Sequence, residues 1–222
     1  MCDEASVTEQ YFESMREAMV SNQLRTTAVN DVRVVEAMRA VPREGFVPAG
    51  REQVAYVDTL VPLGHGRSLN APMATGRLLT EMAPASTDRA LVVGAATGYA
   101  AALLARLVSS VVALEEDAAL LEAARTASLP GNVSIVEGPL AAGWATGAPY
   151  DLILVDGAIE VVPQALIDQL VEGGRLAAAV VERGVSRLSV GRKAGGGFGI
   201  VAFADAEAAP LPGFAKPAVF TF

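Results

Sequence analysis

The chain has 222 residues, 52% of them apolar, and at about 150 residues per domain that length supplies one to two domains with enough apolar material for a sizeable core. Its 17 basic and 25 acidic side chains leave a net charge of −8, which excludes a broad nucleic-acid footprint or a basic membrane surface. The single cysteine, Cys2, and single histidine, His65, exclude an internal disulfide and a paired-histidine zinc site, so no metal is expected. The N-terminus is acidic where a secretory leader would be basic, and charge, glycine or proline interrupts every apolar run short of the ~18 residues a membrane span needs. The expectation is a cytoplasmic protein that engages neither membrane nor nucleic acid.

Two helices are predicted between Val7 and Met38, with Tyr11, Met15 and Met19 at four-residue spacing in the first and Val34, Ala37 and Met38 forming an apolar face in the second. Asn30 is the expected cap of the second helix, with Arg33 at the position where a capping box carries Glu. Pro42 closes that helix, VPREGFVP reads as an irregular linker, and a short helical segment follows at Arg51 to Ala55. Residues 61–72, VPLGHGRSLNAP, are expected to be an irregular loop entering a helix, MATGRLLTEM. That loop either presents Ser68 and Asn70 to a ligand or serves as a rigid connector. His65 either touches substrate or faces solvent, and Asp58 orients either the loop or a substrate amide.

From Arg89 the texture alternates. RALVVG, SSVVALE, NVSIVEG, YDLILVDG and GGRLAAAVVE are strand-like, while GYAAALLARLV, DAALLEAARTA and VPQALIDQLVEG are helical. Such alternation, with β-branched residues in the strands, predicts an α/β fold with a parallel sheet covered on both faces. After Glu182, RLSVGRK and FGIVAFADAE, joined across residues 194–197, read as an antiparallel hairpin added to that sheet. The tail PLPGFAKPAVFTF is expected to pack in extended form, and Trp144 to pack beneath the sheet edge. No repeat or long linker divides the chain, so one domain is expected over 1–222, with a helical extension and substrate-side loop at 1–88, the α/β core at 89–182 and the hairpin and tail at 183–222.

The loop LVVGAATGYA leaves a strand and enters a helix, where Gly94 and Gly98 let backbone approach a bound nucleoside and the amides at the helix start favour electronegative groups. Glu115, 21 residues after Gly94, ends the next strand, where a carboxylate can accept from two ribose hydroxyls. The central loop position is Ala96, whose methyl is either harmless or in the way of the ligand. There is no phosphate-holding GKS or GKT sequence.

At these residues the chain resembles the protein-L-isoaspartate O-methyltransferase family. The resemblance runs through MVSNQLR, VVEAMRAVPREGFVP, AYVDTLVPLGHGRSLNAP, VVGAATGY, NVSIVEG, GWATGAPYDLILVDGA and VPQALIDQLVEGGRL. It implies a Rossmann-like class I methyltransferase fold, S-adenosyl-L-methionine as cofactor, and isoaspartyl carboxylates of damaged proteins or peptides as substrates of a monomer. By position, Asn70 stands where the family's active-site serine is expected and Ser68 keeps the neighbouring hydroxyl, so these two are the implied catalytic residues. Asp58, His65, Gly66, Leu69 and Pro72 fall on the implied substrate side. Gly94, Ala95, Ala96, Gly98, Tyr99, Glu115, Leu140 and Asp156 fall on the implied cofactor side. The pattern is departed from at Val92, where an acid is expected, at Ala96 and Asp156, and at Pro139 and Leu140, since Gly138-Pro139-Leu140 matches a glycine-acid-glycine turn and loses the acid expected beside the adenine. Those changes predict weakened cofactor binding, and the alternative is a non-catalytic relative that binds a peptide, a partner protein or a different small ligand.

Overall fold

The computed structural model describes residues 4–216, with side chains from Thr8 onward. Cys2 and the terminal aromatics Phe220 and Phe222 lie outside the described residues.

Helix α1 (Glu4–Met19) continues into one π turn at Val20–Leu24 and a short 3-10 turn at Arg25–Thr27 before α2 (Val32–Ala40). The face predicted for α2 is buried at Val34, Ala37 and Met38, whereas in α1 Met19 is buried and Tyr11 is exposed. The cap of α2 is Asp31 rather than Asn30: its carboxylate accepts from the Arg33 amide at 2.9 Å and from the Arg33 guanidinium, so one acid satisfies the helix start and its neighbour's charge together. VPREGFVP is not wholly irregular, since Arg43–Phe46 forms a 3-10 turn.

The glycine-rich stretch is also more ordered than expected. Strands β1 (Val61–Gly64) and β2 (Arg67–Leu69) pair antiparallel around a two-residue turn, His65-Gly66. Both turn residues have positive φ, 53° and 71°, the combination whose twist suits a tight hairpin. Composition suggested a loop because two glycines and two prolines lie in or beside these short strands. Pro72 then opens α3 (Pro72–Met82), its fixed φ suiting the first helical turn.

The main sheet has seven strands in the order β5-β4-β3-β6-β7-β8-β9. These are β3 (Arg89–Val93), β4 (Ser110–Glu115), β5 (Val133–Glu137), β6 (Tyr150–Ile159), β7 (Leu170–Glu182), β8 (Val185–Ala194) and β9 (Gly197–Asp205). Strands β3 to β7 run parallel, and β8 and β9 add the predicted antiparallel hairpin. Helix α4 (Tyr99–Leu104) follows β3, and α5 (Ala118–Thr126) follows β4. Helix α6 is confined to Gln164–Asp168, shorter than predicted, because Leu170 is drawn into register beside Tyr150 and begins β7.

Period-two burial divides the core between the two faces of this sheet. Val92, Leu152 and Leu154 pack under α1 to α4, whereas Leu91, Val93, Ile153 and Val155 pack with Leu140, Leu166, Leu211 and Phe214. The chain leaves β3 toward β4 on one side, and β6 toward β7 on the other. The crevice beyond the C-terminal ends of β3 and β6 is therefore the topological switch point, where open α/β sheets bind ligands.

Candidate functional site

Four segments meet at that crevice. The loop after β3 brings Gly94 to Gly98, the end of β4 brings Glu115, the end of β6 brings Asp156 and Gly157, and hairpin β1–β2 with the following turn brings Arg67 and Asn70. Every residue predicted for the cofactor side is buried, Glu115 completely.

Glu115 is held by four donors. Arg67 Nη1 lies 2.7 Å from Oε1, which also accepts from the amides of Glu116 and Asp117 at 3.0 and 3.1 Å, while Oε2 accepts from the Ala96 amide at 2.7 Å. The second guanidinium nitrogen of Arg67 donates to the Gly94 carbonyl at 3.1 Å. Arg67 itself is 5% exposed, so this is a buried ion pair in which the attraction between the partners offsets part of the cost of desolvating them. Alternation along β2 turns Arg67 and Leu69 inward and leaves Ser68 half-buried on the other side.

Asn70 is buried and fully engaged. Its Nδ2 donates to Asp156 Oδ1 at 2.7 Å, its Oδ1 accepts from the Ala209 amide at 3.3 Å, and its carbonyl accepts from Arg43. Asp156 is pushed up from the ordinary carboxylate range by burial, partly opposed by the Asn70 hydrogen bond and by the nearby Arg67 and Arg43 charges. Burial likewise lowers Arg43, whose guanidinium lies 4.7 Å from the centre of the Tyr99 ring, and raises the Tyr99 hydroxyl. Tyr99 thus supports Arg43 and the helical layer, packing edge-on to Phe46 at 5.5 Å.

A fifth segment, the chain's own tail, closes the crevice. After β9, residues 206–216 return across the end of β6; the described part of the tail expected to be extended bridges β6 at Pro210 but turns at Pro212-Gly213. The Ala158 amide donates to the Ala209 carbonyl at 2.7 Å, the Leu211 amide to the Ala158 carbonyl at 2.9 Å, and the Glu160 amide to the Phe214 carbonyl at 3.2 Å. Leu211 fills the space over two glycines: a Cβ placed on Gly94 would come within 3.0 Å of both Leu211 Cδ2 and Arg67 Nη2, and one on Gly157 within 2.6 Å of Leu211 Cγ.

On the predicted substrate side, Leu69 and Pro72 are buried, whereas His65, Gly66 and Asp58 lie exposed at the rim. His65 Nδ1 meets Asp117 at 3.1 Å, and Asp58 accepts from the Met73 amide at 2.9 Å, orienting the start of α3. The structure therefore gathers Asn70, Asp156, Glu115 and the 94–98 loop, and leaves His65 and Asp58 outside. Sequence reasoning missed Arg67, Gly157 and Leu211. Strand alternation would have turned Arg67 inward once the hairpin was recognised, while nothing local in PLPGF marks Leu211. Among the described residues no group of His, Cys, Asp or Glu is placed to hold a metal ion, and no helix is long and apolar enough to cross a membrane.

The family model described as protein-L-isoaspartate(D-aspartate) O-methyltransferase matches residues 14–205. A protein-L-isoaspartate O-methyltransferase of Methylorubrum extorquens is 45% identical over 163 residues, covering 72% of each chain. Another of that name, from Rhodopseudomonas palustris, is 40% identical over 168 residues, 74% of this chain and 69% of the relative. A solved protein-L-isoaspartate O-methyltransferase superposes with a TM-score of 0.77 at 22% identity, over 89% of this chain and 66% of the other. A Plasmodium falciparum structure in complex with S-adenosyl-L-homocysteine superposes with a TM-score of 0.74 at 20% identity, over 89% and 96%. At those identities the two structures carry the fold, which is the class I S-adenosylmethionine-dependent methyltransferase fold.

Proposed function

Because the chain belongs to the protein-L-isoaspartate O-methyltransferase family, we propose that it methylates isoaspartyl carboxylates of proteins or peptides with S-adenosyl-L-methionine. The observation that carries this reading is the match over residues 14–205, which takes in the core, the β1–β2 hairpin and the helical layer together. The chemistry suits the residues at hand. A carboxylate substrate brings its own nucleophilic oxygen, so the protein's task is alignment and exclusion of water, and no strong general base is required.

In the arrangement seen, protein groups already contact the residues that would hold the adenosyl group. Glu115 accepts from Arg67 and two backbone amides at Oε1 and from the Ala96 amide at Oε2, and Leu211 stands over Gly94 and Gly157. That observation favours a second reading, a non-catalytic methyltransferase-fold protein that engages a peptide, partner protein or different small ligand. Labelled-methyl incorporation into an isoaspartyl peptide, with the aspartyl peptide of the same sequence as control, decides between them. The first reading expects label in the isoaspartyl peptide alone. Absence of transfer by both the native chain and a variant shown to bind S-adenosylhomocysteine refutes it.

A further inference from the structure

The crevice keeps the features of a ligand site while holding protein in the ligand's place. A core built only for stability gains nothing from a fully buried carboxylate, which is tolerated here because Arg67 and three amides satisfy it. Nor does it need two glycines side by side at the strand ends, whose missing side chains leave the volume that Leu211 enters.

The tail that fills this volume is held by the buried side chains of Ala208, Ala209, Leu211 and Phe214, with little backbone pairing. Only an isolated bridge, Ala158 with Pro210, joins it to β6, and Pro210 and Pro212 have no amide with which to extend a ladder. Its remaining polar ties among the described residues are the Ala206 amide to the Ser186 carbonyl at 3.3 Å, the Phe214 carbonyl to the Glu160 amide, the Lys216 amide to Glu160 Oε2 at 2.8 Å, and the Ala209 amide to Asn70. Those last contacts matter for the opposite wall of the crevice. The same strap that places Leu211 against the 94–98 loop also occupies Asn70, so the cofactor side and the substrate side are closed by one segment.

We propose that residues 206–216, acting with Arg67, form an autoinhibitory strap that competes with the adenosyl cofactor for the crevice. Cofactor entry requires Leu211 to leave Gly94 and Gly157, and requires Arg67 to give up Glu115. Release of the strap frees Asn70 at the same time, so cofactor binding and access for the substrate carboxylate are coupled through one movement. The inference rests on the cofactor assigned above, but it concerns binding and not turnover.

Calorimetric titration of full-length protein with S-adenosylhomocysteine tests it, comparing the native chain with Leu211→Asp, which places a charge in the apolar plug, and Leu211→Gly, which vacates it. Each variant is first shown to be folded. The strap predicts at least tenfold tighter binding in the variants. Equal affinity in all three, or no binding in any, overturns it. Hydrogen exchange on the native chain at millimolar S-adenosylhomocysteine gives a reading that needs no variant: the amides of Leu211, Ala158 and Glu160 should lose protection, and retained protection overturns the proposal. If the variants bind tightly yet transfer no methyl group, the strap stands and the proposed activity falls.

Discussion

Replacing Arg67 with methionine separates the buried ion pair from everything else in the crevice. Methionine keeps most of the apolar stem and removes the guanidinium, leaving Glu115 fully buried with three backbone amides as its only donors. Breaking a buried pair on one side costs about 3–5 kcal/mol. The surviving amides place this case near the lower end, at about 3 kcal/mol. For a chain of this size each kcal/mol moves the melting temperature by about 2–4 °C, so Arg67→Met should lower it by roughly 6–12 °C. Arg187 offers an internal control: it pairs with Asp205 at 3.1 Å, but the side chains are 43% and 76% exposed. Arg187→Met should cost under about 1 kcal/mol, as exposed pairs usually do. Urea denaturation of both variants, with Arg67→Met/Glu115→Gln completing the comparison, measures the difference. A loss below about 1 kcal/mol for Arg67→Met, or a double variant no better than the single, would refute the assignment of Arg67 as the counter-ion of a buried acid.

Two further outcomes follow from the same geometry. Gly157→Ala puts a methyl 2.6 Å from Leu211 Cγ and 2.7 Å from the Ala209 carbonyl, so it should destabilise by about 1–3 kcal/mol, measured by thermal unfolding. The cost should shrink in a Leu211→Gly background, and additivity of the two changes would show that Leu211 does not lie against Gly157. Asp156→Asn removes a carboxyl that burial holds above its unfolded value. The folded chain then binds more protons than the unfolded one between the two pKa values, so this carboxyl's contribution declines as pH rises from about 4 and stays low above the folded pKa. The variant should gain on the native chain as pH climbs to neutrality and converge with it near pH 4. Melting curves across that range check the sign, and a gap that widens toward acid contradicts it.

The parallel sheet was legible because strands buried on both faces read as unbroken apolar runs, as in LVV and LILV, and because helices recur between them. The hairpin β8–β9 was legible from its glycine turn. Hairpin β1–β2 was not, since three-to-four-residue strands flanked by proline and glycine resemble a loop, and its stability comes from inward contacts of Arg67 and Leu69 that composition does not encode. The site divided in the same way. Glu115 and the 94–98 loop sit in a spacing that local sequence displays. The partners of Glu115 and Asn70 come from positions 48 residues before the one and 139 after the other, and only tertiary packing identifies them.

In this crevice stability and ligand affinity are set against each other. If opening requires the Arg67–Glu115 pair to part at about 3 kcal/mol, the competent form is about 1 molecule in 150, and the apparent dissociation constant is raised by the same factor. Further closure by Leu211 multiplies it. The weakening expected from Ala96, Pro139 and Leu140 concerns contacts the ligand fails to make, whereas Arg67 and Leu211 act through contacts the protein already makes without it. These two origins have opposite signatures in one variant. Arg67→Met should unfold more easily yet bind S-adenosylhomocysteine more tightly, because it removes the occupant of Glu115 and leaves the carboxylate and its amides in place. Restoring a flexible loop with Ala96→Gly can change binding but gives no reason for stability and affinity to move in opposite directions. A chain whose crevice is simply a finished core would lose stability on Arg67→Met and gain no affinity.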